Sequence, residues 1–355
     1  MIAALVLVAG CKGILGIDDP ALATIDAPVA DAEIDAEPAD ARMCFGSLVE
    51  FCFDALPTEP RVFTGSTTLI GDDCTLQPEI GGKRYCVIAA TTIEVATGAT
   101  VRTSSSSLAP SDAQVVFVAT QRIDVIGALD AWLLGPSPAC STGTAQGHSG
   151  GAGGSFGTIG GAGGANLGVA TVPGTAVAAG TIRNGCPGGS GAPSGGDGGA
   201  SGGAIALVAP TISLASTARL NASGYGGEGG RAPERGGGGG GSGGMILLDA
   251  EHIAIDAGAI LVALGGGGGE GAGTNDGADG KRGTTSTAMT PPAGGSSNAS
   301  NGGDGGDGAI SSAGSNGDNG VFGNGAGGGG GGGTGQILLR AATIDNRGTI
   351  VPAPL

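Results

Sequence analysis

Between Gly143 and Gly335 about one residue in three is glycine, 68 of the chain's 80. That stretch limits what the chain can fold into more than any other feature. Glycine has no side chain to bury and loses the most backbone freedom on ordering, so the stretch cannot supply a conventional core. A collagen-like triple helix needs Gly at every third position and abundant Pro; 18 Pro without a sustained period exclude it. A core must come from the segments between the glycine runs.

Those segments repeat. Val87–Ala90 with Ile93–Val95, Val116–Ala119 with Ile123–Val125, Ile205–Ala209 with Ile212–Leu214, Ile246–Ala250 with Ile253–Ile255, and Ile337–Ala341 with Ile344–Asp345 share one pattern. Each is an apolar strand ending near an Ala, a short bend, and a strand alternating with period two. A third short strand follows each: Thr100–Arg102, Ala128–Asp130, Arg219–Asn221, Ile260–Val262 and Thr349–Val351. Three short strands joined by tight bends make one coil of a parallel β-helix, and stacked coils bury one continuous apolar column. The pattern therefore predicts an all-β solenoid of about five coils over residues 86–355. The anchoring residues Ala90, Ala119, Ala209, Ala250 and Ala341 are spaced 29, 90, 41 and 91 apart. The irregularity is expected from glycine-rich insertions at 141–203, 224–244 and 265–335, each leaving between a third strand and the next first strand. A β-sandwich also uses short alternating strands, but equivalent units at long, variable spacing favour the solenoid.

The glycine runs admit two states: disorder, or packed polyproline-II-like strands whose backbones approach because side chains are absent. They resemble the glycine-rich bundles of some phage tip adhesins. Gly-Gly-Ala-Gly-Gly at 150–154 and 160–164 is loosely similar to the repeats of certain mycobacterial surface proteins, although the helical domain that precedes those repeats is missing.

The amino end reads as an export address. Residues 1–10 are mostly apolar and lead through Val8-Ala9-Gly10 to Cys11, which resembles a bacterial lipobox. That resemblance implies cleavage before Cys11 and lipidation of it, a multi-chain anchor far firmer than one acyl chain. No Lys or Arg precedes the run, so the basic start of the signal is expected upstream. Lys12 in place of an Asp favours the outer membrane or cell surface. Residues 11–42 then form an acidic tether: Asp18, Asp19, Asp26, Asp31, Glu33, Asp35, Glu37 and Asp40 extend it, while Pro20, Pro28 and Pro38 break helices.

Lipidation of Cys11 leaves Cys44, Cys52, Cys74, Cys86, Cys140 and Cys186, an even set that in an exported chain reads as disulfides. Sequence alone does not choose the pairing. Neighbours meet most easily, favouring Cys44–Cys52, Cys74–Cys86 and Cys140–Cys186. A zinc site would want CxxC spacing or a nearby His, and neither His148 nor His252 supplies it. Residues 43–85 hold Phe45, Phe51, Phe53, Phe63 and Tyr85 and are expected to cap the open end of the column.

Chemical motifs are sparse. Gly302–Gly308 fits part of a calcium-binding nonapeptide repeat, making Asp304 and Asp307 candidate ligands, but it stands in one copy with Ala309 at the large apolar position. The strand acids Glu94, Asp124, Asp130, Asp249 and Asp256 read as scattered rather than as a catalytic pair. His252 reads as a bend residue, and His148 lacks the strand-to-helix setting of a nucleophile elbow. No cofactor motif stands out. A net charge of −16 with two His argues against nucleic acid as a partner.

Lipobox, acidic tether, paired cysteines and interrupted coils together resemble uncharacterised surface lipoproteins of predatory and gliding soil bacteria such as myxobacteria. The resemblance implies a lipid-anchored surface protein without catalysis, an adhesin or matrix component meeting surface polysaccharide or other cells. The alternative is a divergent polysaccharide-active β-helix enzyme.

Overall fold

A computed structural model describes residues 42–104, 113–133, 140–141, 143–166, 169–178, 180–299, 301–321 and 323–355. The signal segment, Cys11 and the acidic tether lie outside the described residues. Within them the chain is mostly β, with two short 3-10 turns and no α-helix. Residues 42–355 form one compact unit.

The strands are β1 (Met43–Phe45), β2 (Phe51–Phe53), β3 (Arg61–Phe63), β4 (Ser66–Leu69), β5 (Glu79–Ile80), β6 (Lys83–Val95), β7 (Thr100–Ser104), β8 (Gln114–Val125) and β9 (Ala128–Leu133). After them come β10 (Gly163–Asn166), β11 (Val169–Thr171), β12 (Ser201–Gly202), β13 (Ala204–Val208), β14 (Thr211–Leu214) and β15 (Arg219–Asn221). The chain ends with β16 (Met245–Asp249), β17 (His252–Ile255), β18 (Ile260–Val262), β19 (Gln336–Arg340), β20 (Thr343–Asn346) and β21 (Thr349–Val351).

Two large sheets, of 7 and 10 strands, carry the fold through parallel pairing. The repeated units lie in register within them. Ile88 stands beside Phe117, Phe117 beside Leu207, and Leu207 beside Leu248. Ile93, Ile123, Ile212 and Ile253 form a second column, and Val101, Leu129, Leu220 and Leu261 a third. Because β6 and β8 run through their bends unbroken, the first and second strands of each unit belong to one sheet and the third strands to the other.

All twelve of these side chains are at most 2% exposed and belong to one apolar cluster. Each such aliphatic contributes about 1.5–3 kcal/mol on burial. Ala90, Ala119 and Ala209 are also buried there, with Ala250 and Ala341 packed against it. A small side chain fits where the chain bends inside the stack.

A second apolar cluster lies on the other face of the first strands. Val116 and Val118 of β8, Ala204, Ala206 and Val208 of β13, Met245 and Leu247 of β16 and Leu338 of β19 are covered by Phe51, Phe53, Phe156 and Ile182. Burial on both faces explains why β13 and β16 are apolar without alternation.

This placement departs from the expected cap for the first part of residues 43–85 alone. The β1–β2 hairpin, closed by Cys44–Cys52, packs on the flank of the first strands rather than on the end of the column. Ser47 donates from N and Oγ to Asp249 at 2.6 and 2.9 Å, fixing it there. What adds to the end is β3 and β4, which pair in parallel with β6 and β7 and carry buried Phe63 and Leu69. Cys74–Cys86 ties the intervening loop to β6. Cys140–Cys186 closes the base of the first glycine-rich insertion. The insertions connect β9 to β13, β15 to β16 and β18 to β19.

Candidate binding faces

The glycine-rich insertions are ordered by hydrogen bonds that repeat every third residue. In the 236–244 segment, Gly237, Gly240 and Gly243 donate to the carbonyls of Gly327, Gly330 and Gly333 at 3.1, 2.9 and 3.0 Å. Gly238, Gly241 and Gly244 donate to Glu228, Tyr225 and Ala222 at 2.8, 2.9 and 2.7 Å. Gly236, Gly239 and Ser242 donate to Ala192, Gly189 and Cys186 at 2.7, 2.8 and 2.9 Å. Its carbonyls accept from three further segments, through Gly196 and Gly199, Gly151 and Gly154, and Gly266 and Gly269. This segment is therefore bonded on every side.

The 263–273 and 325–335 segments are also enclosed. Gly265, Gly268 and Gly271 donate to Ala309, Gly306 and Gly303; Gly266 and Gly269 to Gly241 and Gly238; Gly267 and Glu270 to Lys281 and Ala278. Gly327, Gly330 and Gly333 donate to His148, Gly151 and Gly154, and Gly329 and Gly332 to Gly269 and Gly266. Almost every peptide group of these inner segments thus has a backbone partner, which buried peptide groups require. Glycine is needed for the approach itself. A Cβ built on Gly239, Gly329 or Gly332 would fall well inside 3.0 Å of a neighbouring carbonyl oxygen.

Outer segments keep one face free, and there the third residue carries a side chain. In the 302–309 segment Gly303, Gly306 and Ala309 donate inward to Ala326, Gly329 and Gly332, while Asp304 and Asp307 are exposed. Several outward side chains cap backbone N–H groups of the adjoining segment. Asp279 and Asp276 accept from Gly229 and Ala232 at 2.8 and 2.7 Å, and Asn316 and Asn319 accept from Ala162 and Ala165 at 2.8 and 2.7 Å. Glu270, 1% exposed, accepts from Ala278, Asn298 and Ala299 at 2.9, 3.1 and 2.9 Å. It pins a loop to the inside of the block.

The two candidate calcium ligands share this outward row. Asp307 Oδ1 accepts from Gly294 N–H at 2.9 Å. Partial desolvation, with Glu270 and Asp318 nearby, pushes the exposed Asp304 carboxyl above its ordinary range against a backbone hydrogen bond from Ser297. Among the described residues, the side-chain group close enough to hold a metal is Cys44, Glu50 and Cys52, whose cysteines are spent in a disulfide.

A second face lies on the outer side of the second strands. Here the register brings side by side two of the acids that the sequence scatters. Glu94 stands beside Asp124, and Asp124 beside Ser213; together with Asp256 they line a hollow of about 340 Å³. Arg122 Nε pairs with Asp124 at 2.8 Å. Parallel stacking aligns equal positions of successive units whatever insertion separates them, so acids distant in sequence become neighbours. Asp130 and Asp249 point elsewhere, to Arg282 and to Ser47. His252 Nδ1 bonds Thr343 Oγ1, and His148 Nδ1 bonds the Glu234 carbonyl.

The chain matches no protein-family model, no curated protein and no solved structure.

Proposed function

We propose that this is a non-catalytic surface protein, an adhesin or matrix component held to the outer membrane by lipid on Cys11. In this reading the stacked strands are coils of a parallel β-helix, and the insertions pack as a bundle of polyproline-II-like strands. The observation that carries it is the period-three hydrogen-bonding of the insertions. Polyproline II turns once in three residues, so three successive N–H groups address three different neighbours. A block whose interior is backbone has no room for a substrate; what it offers is a stiff exterior of regularly spaced side chains. Three disulfides suit an oxidising compartment. The test is retention on surface polysaccharide or whole cells by the full chain. Binding lost on cutting out residues 224–244 and 265–335, with the three-strand units still folded, supports the reading. Unchanged binding refutes it.

A second reading, the divergent polysaccharide-active enzyme, is favoured by Glu94, Asp124 and Asp256 around one hollow. Released reducing or unsaturated ends from acidic polysaccharide, abolished by Asp124→Asn, would establish it and displace the first.

A further inference from the structure

The chain's one Trp and one of its two Tyr meet where the glycine block joins the strands. Trp132 and Asp130, two residues apart, share one face of β9, and Arg102 lies beside Asp130 in register. Tyr225 comes from the segment that continues β15. Its ring lies 5.5 Å from that of Trp132, tilted by 57°. Arg282, from the neighbouring 275–283 segment, stacks 4.2 Å above Tyr225. Its two terminal nitrogens fork onto Asp130 at 2.6 and 3.2 Å, both side chains being 20% exposed.

Three properties separate this cluster from ordinary core packing. Trp132 and Tyr225 are only half-buried, and Arg102 is exposed. Arg282 is forked onto Asp130 and Arg102 stands in register beside it, two arginines to one carboxylate in a chain whose net charge is −16. Arg282 Nε is buried and makes no hydrogen bond, so the side chain acts through its two terminal nitrogens. Aromatic faces beside paired arginines are what binding hot spots are built from.

We infer that Trp132, Tyr225, Arg102 and Arg282 form a binding site for an anionic saccharide, a uronate-bearing glycan. A sugar ring would lie on the exposed part of Trp132, with its carboxylate against the exposed Arg102 and within the field of Arg282. Asp130 positions Arg282 and neutralises part of its charge, leaving the site a single net positive charge. The inference rests on the adhesin reading and names where such a protein grips its polysaccharide.

The single Trp makes its fluorescence a reporter of this site. Polygalacturonate added to the full chain should change Trp emission saturably, and dextran should not. Arg102→Gln, an exposed substitution that leaves the fold intact, should weaken polygalacturonate binding at least tenfold, and Trp132→Phe should weaken it similarly in a retention assay. Binding also falls with salt, because exposed charges carry it. Polygalacturonate binding unchanged in both variants overturns the site while leaving the adhesin reading standing. Cell adhesion without any polyuronate binding does the same. Loss of both cell and polysaccharide binding in the wild-type chain overturns site and reading together.

Discussion

Gly329→Ala tests the packing of the glycine block most directly. Gly329 donates to Gly269 O at 2.7 Å and accepts from Gly306 N at 2.8 Å. On its third side its Cα faces the Gly238 carbonyl, in the place a methyl would occupy. Both backbones are held by neighbours, so the methyl cannot be met by a side-chain shift. The 236–244 segment must retreat by about 1.5 Å to reach ordinary contact. That retreat pulls Gly237 and Gly240 from Gly327 and Gly330, stretching bonds of 3.1 and 2.9 Å beyond hydrogen-bonding range. Two buried N–H···O pairs broken at about 1–3 kcal/mol each, less about 0.4–1 kcal/mol that Ala contributes by restricting the unfolded chain, leaves a loss of about 1–5.5 kcal/mol.

A melt of the wild type and of Gly329→Ala should differ by about 2–8 °C for a unit of this size. Gly65→Ala and Gly180→Ala serve as controls, because a Cβ at either meets no heavy atom within 4 Å, and both should lie within about 0.5 kcal/mol of wild type. Amide exchange gives the local reading: the N–H groups of Gly237–Gly241 should exchange slowly in the wild type and faster in the variant. Equal melting, with those amides exchanging as freely as in an unfolded chain, would refute the packing argument.

Two further outcomes follow from the same contacts. Replacing Cys140 and Cys186 together by Ser opens a link of sequence separation 46; chain entropy puts the loss at about 4 kcal/mol, read from urea melts, and two fewer oxidised thiols should be counted after denaturation. Asp304→Asn should stabilise the chain at neutral pH. The folded carboxyl is raised above its ordinary 3.8 by partial desolvation and by Glu270 and Asp318, which outweigh the hydrogen bond from the Ser297 backbone, so its ionised form disfavours folding. That penalty builds as pH rises from the unfolded value through the folded one and vanishes below both. Melts of the pair at neutral pH and near pH 3 check the sign: the gain should be present at the first and gone at the second.

Much of the strand arrangement was legible because in-register stacking preserves pattern. The third strands Thr100–Arg102, Ala128–Asp130, Arg219–Asn221, Ile260–Val262 and Thr349–Val351 carry one alternation, and they pair in that order. The Cys pairs are near neighbours in sequence for the same reason: each closes a local loop. The β1–β2 hairpin was misplaced because a Phe- and Cys-rich segment looks the same whether it covers an end or a flank. The unbroken apolar run of Met245–Leu248 was the available sign that the first strands need cover on both faces. Glu94 and Asp124 read as scattered because their proximity depends on register, which separation along the chain does not display. Tyr225 and Arg282 were not singled out at all. Each is an isolated residue inside a glycine insertion, and only the packing of segments from two insertions brings them onto Trp132.

The glycine pattern itself carries more of the structure than its abundance suggests. A segment with three residues per turn and one free face needs glycine at two positions in three, as in Gly302-Gly303-Asp304-Gly305-Gly306-Asp307. A segment enclosed on all faces needs it at every position. The runs Gly236–Gly240, Gly265–Gly269 and Gly327–Gly333 are the enclosed ones, and each donates to three neighbours in rotation. A solvated linker has no reason to separate uninterrupted runs from two-in-three runs, since every residue of it meets water. The match between run type and enclosure is therefore itself an argument for order. It also predicts where side chains are tolerated: the outward third positions such as Asp304 accept them, whereas any side chain within Gly236–Gly240 meets a neighbouring backbone carbonyl.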